Sequence, residues 1–408
     1  MKRLHILAWS VVLCLVTACI YPYDAGEEGG QDALVVEGII LAGGETEIAL
    51  SYPRDMNNSW EWRIRGGGDG IDPGEFYVWI EVEGGRNIEA NAVSRKRKDE
   101  SGQIIGRSFD IDTRSLQPGA RCRLHFSRNR NQEQYVSEWL DVLQTPVIDS
   151  LSYYKNYDEN QLDLLVSFHG EGDESRFIVT SSEVWEFHAW YPAHFVYDAE
   201  RDTILYEEMP AWYYCWNYTR GVTTTEPVDA SALSTPRITR FNYRSVPRQH
   251  ELNYLQVVYR SVVTVAGITQ DNYEYWKNLD QISYGGGDLF MPNPSERRGN
   301  IRNVLDPEAL VLGYVSASGF TRDTLYYINA QERFYRPMPD VNDIWTFTQY
   351  FYRHQWPSID QQVYVLFQPS EEDPDMWAWV QRGCTDCTMN RNFAGSKERP
   401  ADWPNDHR

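Results

Sequence analysis

Hydrophobic and polar residues alternate along much of the first third of the chain. The clearest example is Phe-Tyr-Val-Trp-Ile-Glu-Val at 76–82, and the β-branched runs 34–40 and 45–51 flank Gly43-Gly44 as in a hairpin. Alternation with a period of two places every second side chain on the same face of a sheet. About seven such segments separated by polar turns predict an Ig-like or fibronectin-like β-sandwich over residues 33–145.

A second β-rich pattern follows Thr145-Pro146, where proline interrupts a hydrogen-bonded ladder. A long alternating strand is predicted at 252–265, and residues 195–206 have the pattern of a hairpin. We therefore predict a β-rich C-terminal domain over residues 146–408.

Helical periodicity is rare in this chain. Residues 271–282 predict a helical insertion, because an aspartate at the N-cap precedes apolar residues at helical spacing. A second short helix is expected at 341–354. The predicted fold class is thus mainly β, with an N-terminal Ig/fibronectin-like β-sandwich followed by a larger β-rich domain with one or two short helices.

The N-terminal residues combine cations, a short apolar run and small residues before a cysteine. Residues 2–16 supply the cations and the apolar run, and Thr17-Ala18-Cys19 follows. This order is typical of a bacterial lipoprotein signal peptide at 1–18, and the alternatives are an ordinary secretory peptide or a membrane helix. The apolar run is shorter than the roughly 20 residues that a bilayer span requires. We expect lipidation of Cys19 and a flexible polar tether over 19–32.

The charge balance narrows the range of partners. The chain has 38 Lys and Arg against 59 Asp and Glu, a formal net charge of -21. Because such a surface repels phosphate backbones, no nucleic-acid partner is expected, and contact with the lipid bilayer would depend on acylated Cys19. The basic run that starts at Arg95 is interpreted as a hairpin tip.

Four cysteines remain once the signal peptide and the lipidated position are set aside: Cys122, Cys215, Cys384 and Cys387. In an oxidising compartment, four thiols allow three complete pairings. A zinc site would need a second close pair of ligands, which the sequence does not place beside Cys384 and Cys387. We favour a disulfide between these two cysteines, or between Cys215 and one of them.

Catalytic and cofactor motifs are not found in the sequence. It contains no Gly-x-Ser-x-Gly elbow, no His-Glu-x-x-His, no P-loop and no dinucleotide fingerprint, so neither an enzyme nor a cofactor is expected. His188 and His194 suggest a metal site only if a turn brings them together, and half-buried histidines are the favoured interpretation. The oxygen-rich segment 69–75 lacks EF-hand spacing and is interpreted as a turn.

Two aromatic segments, 185–191 and 212–218, contain the residues that we consider for contacts with a ligand or partner: Trp185, Trp190, Tyr191, Trp212 and Trp216. Indole and phenol rings combine an apolar body with a polar tip and can stack on sugar rings or peptide side chains. Aromatic residues at alternating strand positions more often pack in a core, and that interpretation is favoured.

Several segments together resemble domain-of-unknown-function family 4249, lipoproteins of the Bacteroidota outer membrane. The likeness rests on Leu34-Val35-Val36-Glu37-Gly38, Tyr214-Cys215-Trp216, the stretch 275–290, Gly299-Asn300-Ile301-Arg302-Asn303-Val304, the stretch 311–318 and Cys384-Thr385-Asp386-Cys387. The resemblance implies an outer-membrane location and a TonB-dependent outer-membrane transporter as partner. It carries over no catalytic residue.

The functional hypothesis is a non-enzymatic outer-membrane lipoprotein that acts as accessory or ligand-capture partner of a TonB-dependent nutrient transporter. A peptide or an oligosaccharide would be its ligand. The alternative is a cell-surface adhesin or envelope scaffold protein. A hydrolase is the weakest option, since it requires paired carboxylates in a cleft.

Overall fold

The computed structural model shows a mainly β protein, as predicted. It describes residues 34–51, 76–91, 94–98, 104–128, 133–171, 174–208, 210, 212–219, 223–225, 227–248, 253–284, 299–335, 344–389 and 395–404. The signal peptide, Cys19, the tether and the oxygen-rich segment 69–75 lie outside these ranges.

Nine strands of the described chain precede residue 146: β1 (Leu34–Ala42), β2 (Glu45–Ser51), β3 (Phe76–Val82), β4 (Ile88–Glu89), β5 (Arg95–Lys98), β6 (Ile104–Asp112), β7 (Arg121–Arg128), β8 (Glu133–Ser137) and β9 (Leu140–Asp141). The predicted hairpin around Gly43-Gly44 is confirmed, because β1 and β2 pair antiparallel. In β3 the predicted alternation is confirmed as well, since Phe76, Val78 and Ile80 are buried.

Sixteen described strands follow: β10 (Val147–Asn156), β11 (Gln161–His169), β12 (Arg176–His188), β13 (Phe195–Asp198), β14 (Thr203–Tyr206), β15 (Tyr214–Tyr218), β16 (Thr223–Thr224), β17 (Val228–Asp229), β18 (Arg237–Pro247), β19 (Val258–Gly267), β20 (Ile301–Asn303), β21 (Val311–Leu312), β22 (Val315–Ile328), β23 (Thr348–Tyr352), β24 (Tyr364–Pro369) and β25 (Met376–Gln381). The hairpin predicted at 195–206 is confirmed by the pairing of β13 with β14.

Helices are short and few in the described chain. The predicted helix at 271–282 is confirmed as α1 (Gln270–Tyr284), and α2 spans Asn329–Glu332. The helix expected at 341–354 is wrong for the part that the structure describes, where a 3₁₀ turn leads into β23. Further 3₁₀ turns cover Arg353–Ser358, Arg382–Cys384 and Cys387–Met389.

The main sheet has the strand order β15-β12-β19-β22-β1-β2-β6-β5, with β16 and β17 on β12 and β21 on β1. Its central feature is a parallel pairing of β1 with β22, in which Gly38 lies opposite Val315 and Ala42 opposite Gly319. Strand β5 forms the far edge and pairs antiparallel with β6, so the first four residues of the basic run form one arm of a hairpin. Residues 99–103, between the two strands, lie outside the described ranges. In β5, Arg95 pairs with Asp110 at 2.6 Å.

A second sheet, the front sheet, has the order β20-β8-β7-β3-β4, with β9 on β7. Its apolar residues pack against those of β1, β2 and β6 in one core that includes Val36, Ile48, Ile80, Leu124 and Phe126. Two packed sheets therefore form the N-terminal part, and their strand orders are compatible with the ABED and CFG sheets of an Ig domain. The Ig-like assignment itself stays a prediction.

The main sheet continues across the predicted domain boundary at residue 146. Strand β1 joins β22, and β20 from beyond residue 300 completes the front sheet by pairing with β8. The side chain of Asn300 ties the two sheets together, since its Nδ2 donates to Val315 O at 2.7 Å and its Oδ1 accepts from Val315 N at 3.0 Å. The segments on the two sides of residue 146 thus share a sheet and a core.

The rear sheet, β10-β11-β18, covers β12 and β19 of the main sheet. Their shared core contains Phe168, Phe177, Phe187 and Tyr259, all at most 1% exposed. A small sheet, β23-β25-β24, packs on the β13–β14 hairpin through an aromatic core in which Tyr197, Trp356 and Trp379 meet edge to face. This last contact positions the cleft described below.

Candidate functional site: a cleft beside the disulfide

A disulfide joins the main sheet to the turns that follow the small sheet. Cys215 on β15 is bonded to Cys387, 172 residues later, with a Cα–Cα distance of 5.9 Å. Of the pairings left open by the sequence, the structure thus selects Cys215 with one member of the close pair. Cys384 is buried and lies outside the disulfide. Burial raises the pKa of the Cys122 thiol, in the N-terminal core, to about 12.

Backbone hydrogen bonds hold the disulfide loop, residues 382–389, between two aromatic segments. Tyr191 N donates to Cys384 O at 3.1 Å on one side, and Cys387 N donates to Trp212 O at 3.0 Å on the other. Within the loop, the amides of Thr385 and Asp386 both donate to Arg382 O. The loop therefore has a fixed backbone, and residues near 191 and 212 lie on either side of it.

The five aromatic residues singled out in the sequence divide into two groups. Trp185 and Trp216 are each 5% exposed and pack in hydrophobic cores, which corrects their candidacy as ligand contacts. Trp190 and Trp212 are 46% and 48% exposed. Tyr191 is half-buried and packs edge to face on Phe367. The two exposed members of the five, Trp190 and Trp212, thus lie just after the end of β12 and just before the start of β15.

Two cations contact the exposed Trp212 ring. Arg382 Cζ lies 5.6 Å and Lys397 Nζ 5.5 Å from the ring centroid, distances typical of cation–π contacts. Lys397 also donates to Tyr214 O at 3.1 Å, and burial lowers the pKa of its ammonium group. The ring is thereby fixed in orientation while about half of it stays accessible to solvent.

A cavity of about 80 Å³ opens between the loop, the β13–β14 hairpin and the small sheet. Its polar and aromatic lining comes from Glu207, Trp212, Tyr364, Trp379, Arg382 and Asp386. Asp386 is 3% exposed and its Oδ1 accepts from Thr388 N and Oγ1 at 3.0 and 2.6 Å. The cavity thus combines aromatic surface, a guanidinium group and carboxylates.

A larger opening of about 350 Å³ lies where the front sheet meets residues 299–311. Trp139 lines it and contacts Arg123, whose Cζ is 4.5 Å from the ring centroid. Arg123 is also bonded to Glu81 at 2.7 Å, so its charge is balanced within the protein. Gly299, which lines the opening, is the first described residue after position 284.

The histidines near β12 do not assemble a metal site. His188 Nε2 lies 3.2 Å from Glu186 Oε1, and His194 Nδ1 donates to Glu207 O at 2.9 Å, so each has its own partner. No group of three or more His, Cys, Asp or Glu suited to a metal ion occurs among the described residues. In the same residues, no helix is long and apolar enough to cross a membrane.

The last described residues, 395–404, form a strap across β15. Ser396 and Trp216 exchange backbone hydrogen bonds at 2.9 and 2.7 Å, and Trp403, only 3% exposed, donates from Nε1 to buried Glu186 Oε2 at 2.5 Å. The strap explains why Trp216 is buried. No motif in the sequence indicates these contacts, although a tryptophan between two prolines near the chain end is a weak signal.

No motif in the sequence points to Trp379 or Arg382 either, and Asp386 stands out only as part of the segment Cys384-Thr385-Asp386-Cys387. A local signal does exist, because 376–387 combines two tryptophans with two cysteines within twelve residues. Only the tertiary contact with Trp212 brings these residues into one cleft.

The fold defines a mainly β protein of stacked sheets whose small C-terminal sheet is secured by a long-range disulfide. The chain belongs to the family described as Domain of unknown function (DUF4249), which it matches over residues 20–324. No curated protein matches the chain significantly. The matched range ends within β22, so the small sheet, the disulfide loop and the cysteine pair of the resemblance lie beyond it.

Proposed function

We propose that this protein is an outer-membrane lipoprotein that captures a ligand for a TonB-dependent nutrient transporter without transforming it. The anchor would be the lipid on Cys19, which follows small residues and an apolar run in the order that lipoprotein signals use. About thirteen tether residues give a reach of roughly 45 Å at full extension. The folded body would therefore stay within reach of a transporter mouth.

The observation that carries the capture function is the cleft at Trp212. A solvent-exposed tryptophan is costly to leave in water, yet this one is held in place by two cations and a disulfide-anchored loop beside a cavity. Ligand sites combine such aromatic surface with a few fixed polar groups. A fixed aromatic cleft supports binding, and pre-ordering its side chains reduces the entropy lost when a ligand docks.

The first experiment tests the partner. Outer membranes from cells that express the tagged full chain are cross-linked, and the purified complexes are identified by mass spectrometry. We expect a TonB-dependent transporter to be enriched over a Cys19→Ala control, which cannot be lipidated and should leave the membrane fraction. Absence of any such transporter from the wild-type complexes contradicts the proposal.

The second experiment tests the cleft. Trp212→Ala should retain the transporter in the complex but reduce transporter-dependent growth on the captured nutrient. Tyr154→Ala, which removes a 52% exposed ring on the rear sheet, serves as a matched control and should grow as wild type. Unimpaired growth of the Trp212 variant together with loss of cell attachment would favour the adhesin or scaffold alternative.

A further inference from the structure

The exposed ring of Trp212 is contacted by two segments that are distant from it in sequence. Arg382 belongs to the disulfide loop and Lys397 to the strap, and their charged groups lie 5.6 and 5.5 Å from the ring centroid. The backbone at the ring is held separately, because Trp212 O accepts from Cys387 N at 3.0 Å. The two cations therefore act on the orientation of the side chain.

The ammonium group of Lys397 has a second contact, on β15. Its Nζ donates to Tyr214 O at 3.1 Å, so one cation contacts both a strand carbonyl and the indole ring. A cation near the face of an aromatic ring is attracted by the quadrupole of the ring. Because the strand fixes the cation, the cation in turn favours one orientation of the Trp212 ring.

The strap begins directly on the disulfide. A Cβ added at Gly395 would lie 2.6 Å from Cys215 Cβ, 2.7 Å from Cys215 Sγ and 2.6 Å from Phe187 Cζ. Both neighbours are fully buried, and extra volume in a packed core displaces the surrounding atoms. Glycine thus allows the strap to approach β15 closely, and the next residue, Ser396, exchanges two backbone hydrogen bonds with Trp216.

The strap is fixed again beyond Lys397 in sequence. Trp403 Nε1 donates to buried Glu186, and Asp402 pairs with Arg260 at 2.7 Å. The guanidinium of Arg260 also lies 5.3 Å from the centroid of the Trp403 ring. Lys397 therefore belongs to a segment that is attached on both sides, and its position beside Trp212 depends on these attachments.

We propose that the strap positions the ligand-contacting ring of the cleft, with Lys397 as the positioning residue for Trp212. This inference rests on the proposed capture function, in which Trp212 contacts the ligand. With the strap in place, the ring keeps the orientation in which it lines the cavity. When the strap leaves β15, the ring loses one of its two cations and rotates more freely.

Fluorine NMR of the full lipoprotein in detergent, labelled with 5-fluorotryptophan, tests this proposal. The Trp212 resonance is the one that is lost in Trp212→Phe, and its position in urea marks the freely rotating ring. Lys397→Met keeps the length of the side chain and removes its charge. We expect it to move the resonance towards the urea position, as the ratio of fixed to free ring falls by about two- to fivefold. Lys397→Arg keeps a cation and should restore most of the wild-type position.

A pair of glycine variants tests the attachment of the strap away from the ring. Gly395→Ala should displace the strap from the disulfide and move the Trp212 resonance in the same direction as Lys397→Met. Gly383→Ala is the matched control, since Gly383 lies in the disulfide loop and nothing is within 4 Å of its Cβ position. Its Trp212 resonance should coincide with that of wild type. If Gly395→Ala does not fold, the two Lys397 variants decide alone.

Four results would overturn the proposal. The first is an unchanged Trp212 resonance in Lys397→Met, and the second is an equal displacement in Lys397→Met and Lys397→Arg, because the charge would then not orient the ring. The third is a folded Gly395→Ala with the wild-type resonance. The fourth is a displacement in Gly383→Ala as large as that in Gly395→Ala, because the strap would then have no specific effect.

The NMR measurement requires neither the ligand nor the transporter, so it separates this inference from the proposed function. If the Trp212 resonance responds as expected and no transporter co-purifies, the positioning role stands and the partnership is wrong. If the transporter co-purifies and the resonance does not respond, the partnership stands and the positioning role is wrong.

Discussion

Replacement of Gly313 by alanine tests the main sheet, in which β1 from before residue 146 pairs with β22 from after it. Gly313 precedes β22 with φ +98°, and a Cβ built there would lie 1.9 Å from Val36 O on β1. Gly43, in the β1–β2 turn, has a similar φ of +86° but nothing within 4 Å of its Cβ position. The two substitutions therefore share backbone strain and differ in steric clash.

The expected costs follow from that difference. An alanine in the left-handed backbone region costs about 1 to 2 kcal/mol. Gly43→Ala should lower the free energy of unfolding by this amount only. To reach an ordinary contact of 3.4 Å, Gly313→Ala must move β1 by 3.4 − 1.9 = 1.5 Å. Two ladder hydrogen bonds at about 1 kcal/mol each and part of the burial of Val36 would be lost as well. We expect Gly313→Ala to lower the free energy of unfolding by about 5 kcal/mol in total.

The assay is urea unfolding monitored by tryptophan fluorescence. The dependence of the unfolding free energy on urea concentration should have the same slope in each variant as in wild type. Hydrogen exchange adds a spatial measurement, since displacement of β1 should lower protection in β2 on one side and β22 on the other. Equal destabilisation by Gly43→Ala and Gly313→Ala would refute the reasoning. So would a loss of protection confined to strands before residue 146, because the two segments would then not share a sheet.

Three further predictions concern the C-terminal region and acid stability. Cys215→Ser/Cys387→Ser should destabilise by about 3 to 5 kcal/mol in non-reducing urea titrations, because the bond closes a loop of 172 residues; a loss below about 1 kcal/mol would contradict it. Trp403→Phe removes the hydrogen-bond donor to buried Glu186 and should lower the free energy of unfolding by about 1 to 3 kcal/mol. Proteolysis of the strap should become faster, and an unchanged cleavage rate would argue against the strap. The pKa of Glu332 is lowered because a lysine and a tyrosine bond to it, so its stabilisation is present above its usual pKa and is lost as the pH falls through the lower folded value. Glu332→Gln should make the free energy of unfolding fall less steeply as the pH is lowered. An unchanged pH dependence would exclude a contribution from Glu332.

Local patterns predicted the elements that depend on neighbouring residues. Both hairpins and α1 were predictable because turn glycines, alternation and helical spacing act within a few residues. The aspartate predicted as N-cap, Asp271, lies instead in the first turn of α1, and Thr269 Oγ1 accepts from Asn272 N. The parallel pairing of β1 with β22 was not predictable, since it joins residues some 280 positions apart and parallel strands need no shared turn. The helix expected at 341–354 failed because its aromatic residues also suit a strand, and pairing of β23 with β25 decided the conformation.

Prediction of the site was limited by a different ambiguity. Alternation identifies which residues of a strand share a face, but it does not indicate which faces are covered. Along β12 both faces carry buried residues, so Trp185 is buried with its neighbours although it lies in the same aromatic segment as Trp190. Exposure begins only where the strand ends. Whether an aromatic residue of this segment is exposed thus depends on its position relative to the end of β12. The strand end in turn depends on pairing with β19, which is distant in sequence.

The boundaries of the family match bear on how widely the cleft can be expected among its members. Trp212 and Cys215 lie within the matched range, whereas Trp379, Arg382 and Cys387 lie beyond it. The cleft therefore depends on the disulfide and the backbone bonds that bring the later segment to the earlier one. A chain that matched only over the shared range could retain the packed sheets and lack the cavity. The cleft at Trp212 consequently needs the segment beyond residue 324 as well as the matched range.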